Sequence, residues 1–168
     1  MESNTKLIEL HGDIAARVGA IRDGRADWPC GKGCDGCCRA LAEMPRLTSA
    51  EWELLRHGLA TLPQQRLQQI GAELARLVRL PSRPLVCPLL DLASGACPVY
   101  AQRPVACRTY GFYVQRDLGL YCGDIESRVA NGSMAEVVWG NHDAIDQRLA
   151  GLGESRSLAE WFQDWRHA

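Results

Sequence analysis

The sequence predicts a mainly α fold: a single domain, residues 1–168, of about five to six helices with a central cysteine-rich loop and a short irregular hairpin. Two observations support the helices. Apolar residues recur at three- and four-residue steps in several segments, and helix-starting patterns precede most of them. The hairpin is expected to be irregular because Pro88 and Pro98 disfavour regular strands. A length of 168 residues fits one domain.

The first half of the chain contains three helical segments. Residues 5–23 carry apolar side chains at helical spacing and end at Asp23-Gly24. A second helix begins at Thr48, which caps it together with Glu51, and Leu47 is expected to pack on Trp52. The segment from Thr61 to Gln64 repeats this capping pattern and starts a third helix. Its apolar positions are Leu67, Ile70, Leu74, Leu77 and Val78.

The second half is predicted to alternate loops and helices. Residues 85–100 form the short hairpin around Ala93-Ser94-Gly95. A short helix runs from Gln102 to Arg108, with Pro104 in its first turn. After a loop that contains several glycines, two further helices occupy residues 133–166, the last of them beginning at Ser157.

Charge and hydropathy exclude several classes of partner. The net charge is −1, from 19 basic and 20 acidic residues that are interspersed along the chain, so no basic stripe is present to follow a phosphate backbone. We therefore expect no nucleic-acid partner. Residues 1–27 lack the apolar region of a signal peptide, and no stretch reaches the ~20 apolar residues of a spanning helix. We expect a cytoplasmic protein without a membrane partner, in which structural disulfides are rare.

Eight cysteines dominate the functional interpretation. Four of them, Cys30, Cys34, Cys37 and Cys38, lie within nine residues. Cys34 and Cys37 form a CxxC pair, a spacing at which a tight turn directs two sulfurs at one ion. Gly31, Gly33 and Gly36 are expected to supply positive-φ positions and free backbone amides. The other four cysteines, Cys87, Cys97, Cys107 and Cys122, are isolated along the chain.

Three interpretations of the cluster compete. Disulfides suit an even number of cysteines, but the expected compartment disfavours them, and a bond between adjacent Cys37 and Cys38 departs from relaxed geometry. An isolated thiol such as Cys122 is often a small buried apolar group. Four thiols among glycines favour metal binding instead. Thiolates suit Zn²⁺ and iron–sulfur clusters equally well, and eight could fill two four-coordinate sites or one multinuclear site.

The arrangement of adjacent cysteines constrains these alternatives. Neighbouring side chains diverge, so Cys37 and Cys38 are expected to serve different metals, or one of them to face the core. The sequence does not choose between these possibilities.

The cysteine pattern resembles that of the YkgJ-type cysteine-cluster family of zinc- or iron-chelating proteins. The resemblance rests on Cys30-x3-Cys34-x2-Cys37-Cys38, on Cys87-Pro-Leu-Leu, on Gly95-Ala-Cys97-Pro-Val-Tyr100 and on Arg103-Pro104-x2-Cys107-Arg108. It implies a metal-binding core at about residues 28–124. In that core the thiolates of Cys30, Cys34, Cys37, Cys38, Cys87, Cys97, Cys107 and Cys122 would chelate zinc or iron, as separate ions or as an iron–sulfur cluster. It leaves the biological reaction open.

Few other residues indicate chemistry. Arg103 and Arg108 could neutralise a thiolate centre or grip an anionic substrate, but pairing with carboxylates such as Asp91 is favoured. His142 and Asp124 are minor candidates for additional ligands. Neither a Walker loop nor an HExxH motif is present.

Three functions therefore remain open at this point. The first is a metal-binding protein of accessory or non-catalytic role. The second is an iron–sulfur oxidoreductase or electron-transfer protein, and the third is a redox switch that releases zinc as its thiols oxidise. Whether the chain is an enzyme, and which protein it meets, cannot be read from the sequence.

Overall fold

The structure is mainly helical, as predicted, and is a computed structural model that describes residues 2–80 and 83–167. Eight α-helices, more than the five to six expected, lie within these residues: α1 (Glu2–Arg22), α2 (Gly36–Arg39), α3 (Ser49–Leu59), α4 (Gln64–Arg79), α5 (Val105–Thr109), α6 (Gly123–Ala130), α7 (His142–Leu149) and α8 (Leu158–His167). Five short strands accompany them: β1 (Arg46–Thr48), β2 (Tyr113–Gln115), β3 (Leu118–Leu120), β4 (Gly140–Asn141) and β5 (Ser155–Ser157). In this part of the chain, no helix is both long enough and apolar enough to span a bilayer.

Two apolar clusters form the core. The first cluster surrounds α1, whose Leu7, Leu10, Ile14 and Ile21 pack with side chains from α5, α6 and β2. The second cluster surrounds α3 and α4, against which α8 packs Leu158, Ala159 and Phe162. The apolar spacing of α1, α4 and α8 in the sequence corresponds to these buried faces. Val78 is the exception, since it is 65% exposed at the end of α4.

The strands fix the starts of helices. β1 pairs antiparallel with β5, with Leu47 opposite Arg156, and each of these strands leads directly into a helix. β2 pairs antiparallel with β3 and parallel with β4, which leads into α7. Asn141, at the end of β4, caps α7 by accepting hydrogen bonds from the amides of Asp143 and Ala144.

Two capping boxes lie at opposite ends of the β1–β5 pair, because the two strands run antiparallel. The predicted box at Thr48 is confirmed: Glu51 N–H donates to Thr48 Oγ1 (3.4 Å), and Thr48 N–H donates to Glu51 Oε2 (2.8 Å). Ser157 and Glu160 repeat the pattern at the start of α8. The two boxes differ in burial, because Glu51 is 3% exposed whereas Glu160 is exposed to solvent. Glu51 also accepts a hydrogen bond from Val105 N–H at 2.9 Å, which joins α3 to the start of α5.

The structure corrects the predicted start of the third helix. Thr61 does not cap α4; its hydroxyl donates to the carbonyl of Gly58, and Pro63 occupies the N-cap position without a side-chain hydrogen bond. The short helix predicted from Gln102 is split into a 3₁₀ turn at Tyr100–Gln102 and α5, because Pro104 directly precedes α5.

The region between residues 122 and 141 differs most from the prediction. Residues 123–130 were expected to be a loop but form α6, whose first turn carries acidic side chains and whose last turn carries Arg128, a distribution that suits the helix dipole. Met134 and Val137 were expected to be helical but lie in consecutive turns. Gly132 begins these turns with φ +83°. The apolar spacing here reflects burial without a helix.

We predict that Glu51→Ala destabilises the fold far more than Glu160→Ala. Removing the buried carboxylate leaves two buried amides, those of Thr48 and Val105, without an acceptor, which should lower the free energy of unfolding by about 3 kcal/mol. The exposed box at Glu160 should contribute no more than about 1 kcal/mol. Urea denaturation of both variants at equal metal content measures the difference. Equal losses would show that Glu51 acts only as an ordinary cap.

Candidate metal centre

The cysteine loop is built from turns and one short helix. Cys34 N–H donates to the carbonyl of Gly31 (3.1 Å), and α2 then carries Cys37 and Cys38 on consecutive residues. Of the three glycines expected at positive φ, only Gly33 has it, at +95°; Gly31 and Gly36 do not. Asp35 and Arg39 form an ion pair at 2.6 Å across α2. The loop is therefore held by its own turns.

A backbone pairing brings the isolated Cys87 to this loop. Leu41 and Leu85 form an antiparallel bridge with N···O distances of 2.8 and 2.9 Å, and Cys87 N–H donates to Cys38 O at 2.7 Å. The predicted hairpin is thus irregular, as expected, and its first arm pairs with residues 38–41. This pairing joins two cysteine-bearing segments directly.

The turn between Cys87 and Cys97 also rests on the loop. An antiparallel bridge between Asp91 and Ala96 closes the turn. Gly95, at φ +66°, lies so close to Asp35 that a Cβ there would stand 2.9 Å from its carboxylate oxygen. Glycine at this position therefore allows the turn to approach the cysteine loop.

Seven of the eight cysteines line one cavity of about 130 Å³. They come from the cysteine loop, from both ends of the hairpin and from α5, and are Cys30, Cys34, Cys37, Cys38, Cys87, Cys97 and Cys107. Apolar side chains such as Val18, Leu55 and Phe112 complete the walls. Cys37, Cys38, Cys87 and Cys107 also line a second, larger cavity of about 650 Å³, which extends toward β1 and α7. The structure thus gathers thiols that lie up to 77 positions apart in the sequence.

Cys122 occupies a different position from the other seven. It precedes α6, does not line the 130 Å³ cavity, and packs against the first cluster beside Cys30. Gly111 makes room for Cys30 here, since a Cβ on Gly111 would stand 2.4 Å from Cys30 Sγ. Cys122 is therefore adjacent to the cavity rather than part of its wall.

The adjacent pair, Cys37 and Cys38, does not diverge as expected. Their sulfurs lie 3.9 Å apart, and both line the same cavity. Two thiolates on one tetrahedral zinc ion, with bonds of about 2.3 Å, stand roughly 3.8 Å apart. Their spacing suits a shared ion, whereas the two sequence-based alternatives, that the pair serves different metals or that one of them faces the core, stay predictions.

The thiols differ in acidity because their surroundings differ. Burial raises the pKa of the Cys30 thiol to about 12 and that of the Cys87 thiol to about 11. Burial also raises the pKa of Cys97 and, more strongly, that of Cys107. The hydrogen bond between the adjacent thiols lowers the pKa of Cys37 and raises that of Cys38. Most of these thiols are therefore protonated at neutral pH in the absence of a bound cation.

The two arginines brace the surrounding loop through backbone carbonyls. Arg108 donates to Arg103 O (2.9 Å) and Ala101 O (2.6 Å), and Arg103 donates to Tyr100 O (2.9 Å) while stacking on the Tyr100 ring. Asp91, the expected carboxylate partner, bonds instead to Ser94 and Ala93. Arg103 also lies near Cys97 and Cys107 and works against the rise in their pKa.

Neither minor ligand candidate lies on the wall of the 130 Å³ cavity. His142 Nδ1 lies 3.3 Å from Asp146 and borders the larger cavity. Asp124 is exposed and lies 3.7 Å from Arg128. Sequence reasoning missed the hydrogen bond from Val105 to Glu51 and the space that Gly111 leaves for Cys30, since no local pattern encodes either contact.

The eight cysteine thiols suit a metal that binds through sulfur, although their side chains are not arranged around an ion. Across residues 2–80 and 83–167, no three Cys, His, Asp or Glu side chains stand in a geometry that could hold an ion directly. All eight cysteines are free, and seven share a cavity wall. Soft sulfur ligands in this number favour zinc or iron over magnesium or calcium.

Comparison with known proteins agrees with the cysteine pattern. Residues 29–133, which are 105 of the 168, match the family model CxxCxxCC, described as a putative zinc- or iron-chelating domain. No curated protein and no solved structure matches the chain. The matched span begins just before the cysteine loop, ends just after α6 and contains all eight cysteines. The chain therefore belongs to the CxxCxxCC family.

Proposed function

We propose that this chain chelates zinc or iron through cysteine thiolates, and that it holds more than one metal ion or a multinuclear cluster. The observation that carries the proposal is the convergence of seven cysteines on one cavity of about 130 Å³. One tetrahedral ion takes four thiolates, so the cavity wall offers three more than a single ion needs. The additional thiolates can serve a second ion or bridge two ions.

Within this site, Cys37, Cys38, Cys87, Cys97 and Cys107 form the principal ligand set. Cys87 and Cys38 are joined by a backbone hydrogen bond, and the two sulfurs of Cys37 and Cys38 already have the separation of ligands on one ion. Cys30 and Cys34 line the same cavity, and Cys122 lies close enough to Cys30 to raise the pKa of its thiol, after burial. The second group would complete a further site.

An iron–sulfur electron-transfer centre is the alternative that uses the same residues. Apolar walls and several backbone amides near the sulfurs suit such a cluster. A zinc-based redox switch is a further alternative, because Cys34 is exposed and stands in a CxxC pair with Cys37. All three functions require reduced thiols, which the cytosol would maintain.

We expect anaerobic purification without added metal to yield more than one equivalent of zinc plus iron per chain. Elemental analysis, a sulfide assay and visible spectroscopy on one sample separate the alternatives. A brown protein with acid-labile sulfide indicates an iron–sulfur centre, and a colourless zinc protein indicates chelation. Zinc that peroxide releases reversibly indicates the switch. One metal equivalent or less in total would contradict the proposal.

We expect Cys37→Ala and Cys107→Ala to lose more metal than Cys122→Ala. The first two residues line the cavity, whereas Cys122 only borders it. Each variant is purified in parallel, and its metal content is compared with its helical circular dichroism, so that loss of ligands is separated from loss of fold. If Cys122→Ala loses as much metal as Cys107→Ala with the fold intact, the cavity does not define the ligand set.

We expect metal affinity to rise with pH. Burial keeps the pKa of Cys30 near 12 and that of Cys87 near 11, so binding at neutral pH must displace a proton from each of these thiols. The affinity should then increase up to tenfold per pH unit for each proton released. Zinc titration between pH 6 and 8, in buffers of different ionisation enthalpy, counts these protons. A pH-independent affinity would exclude buried thiols as ligands.

A further inference from the structure

A basic groove lies between α1 and the segment that leads into α5. It has a volume of about 450 Å³. We call it the arginine groove, and its lining residues are His11, Ile14, Ala15, Val18, Gly19, Arg22, Arg103 and Arg108. The lining contains three guanidinium groups and no carboxylate. Arg22, Arg103 and Arg108 also border the 130 Å³ cysteine cavity, so the groove reaches its rim.

The three arginines lack acidic partners. Among the residues that the structure describes, eleven ion pairs form, and none of them includes Arg22, Arg103 or Arg108. A guanidinium has five N–H donors. Arg108 uses two of its nitrogens on backbone carbonyls and Arg103 uses one, which leaves donors free on both. Burial, followed by the neighbouring charge of Arg103, lowers the pKa of Arg108. The groove therefore carries positive charge that no protein group neutralises by direct contact.

His11 supplies a second, independent observation. Its Nε2 atom is buried and has no hydrogen-bond partner among the described residues. Buried polar atoms are nearly always paired, so an unpaired one on a residue that lines a groove can serve as a hydrogen-bonding group for a bound molecule. The charged groups that face His11 are Arg103 and Arg108 across the groove, and with burial they lower its pKa to about 4. Arg22 lies on the same helix as His11 and lines the same groove.

We propose that the arginine groove binds a small molecule that bears an oxyanion, either a phosphate or a carboxylate, between Arg22, Arg103, Arg108 and His11. Guanidinium groups bind both kinds of oxyanion through paired N–H donors. His11 Nε2 completes the site as a further hydrogen-bond donor to the anion. The groove's position places the bound molecule at the rim of the cysteine cavity. The proposal depends on the groove alone and not on which metal the thiols hold.

The experiment titrates inorganic phosphate and, separately, succinate into the full chain as purified with its metal. Chloride keeps the ionic strength constant, and calorimetry measures affinity. We expect one saturable site for at least one of the two anions. Tighter binding of phosphate identifies a phosphate compound as the ligand class, and tighter binding of succinate identifies a carboxylate. No saturable binding of either anion at millimolar concentration would overturn the proposal.

Matched variants locate the site. Arg22→Gln should weaken binding at least tenfold, because it removes one of the three guanidinium groups that line the groove. The Arg22 side chain makes no hydrogen bond or ion pair among the described residues, so its loss should leave the fold intact. Arg17→Gln removes an exposed arginine of the same helix that does not line the groove, and should leave the affinity unchanged. Equal weakening by both variants would show non-specific charge attraction and overturn the assignment. Metal content is measured on the same samples and should not change in Arg17→Gln, which lines neither the groove nor the cysteine cavity.

The pKa of His11 distinguishes an anion bound in the groove from non-specific charge attraction to the protein surface. A bound anion stabilises the imidazolium, so the pKa of His11 should rise from about 4 toward its ordinary value when the anion is added. Histidine NMR titration with and without the anion measures this shift, and Arg22→Gln should reduce it. A pKa of His11 that is the same with saturating anion would place the anion elsewhere.

Discussion

The rest of the fold depends on one constraint: thiols from distant segments of the chain must lie on the wall of one cavity. The cavity lies where the two apolar clusters meet: Val18 of the first and Leu55 of the second both line it. Cys30 and Cys122 pack against the first cluster, and Cys87 and Cys97 pack against the second. Each buried aliphatic side chain in these clusters contributes about 1.5–3 kcal/mol. That free energy holds mostly protonated thiols in place before any cation displaces their protons.

Hydrogen bonds determine how the two clusters meet. The Glu51 carboxylate accepts from Thr48 in the second cluster's entry strand and from Val105 in the first cluster. Val105 begins α5, which carries Cys107 two residues later. The Leu41–Leu85 pairing acts in the same way on the other side of the cavity, where it brings Cys87 to Cys38. Side chains and backbone groups that bind no metal thus set the relative positions of the cysteines.

The sequence predicted features that depend on residues close together in the chain better than features that depend on distant residues. The helices α1, α4 and α8 and the boxes at Thr48 and Ser157 depend on residues a few positions apart, so spacing and capping patterns revealed them. The cavity wall is lined by residues as distant in the sequence as Cys30 and Cys107, and only the family resemblance suggested that they act together. The turns after α6 misled the prediction, because Met134 and Val137 are buried at helical spacing without forming a helix.

The packing that forms the cavity also places charged side chains beside its thiols. Four thiolates on a divalent ion leave a net negative charge, and a largely apolar wall does little to compensate for it. Arg103 stands near enough to Cys97 and Cys107 to favour their ionised forms, and it also lines the arginine groove. An anion bound in that groove would partly neutralise the charge of Arg103 and so reduce its stabilisation of the thiolates. Ionised thiolates would in turn lower the positive potential that attracts the anion. Because linkage is reciprocal, occupation of the two sites would be anticooperative unless a net positive charge remains on the bound metal.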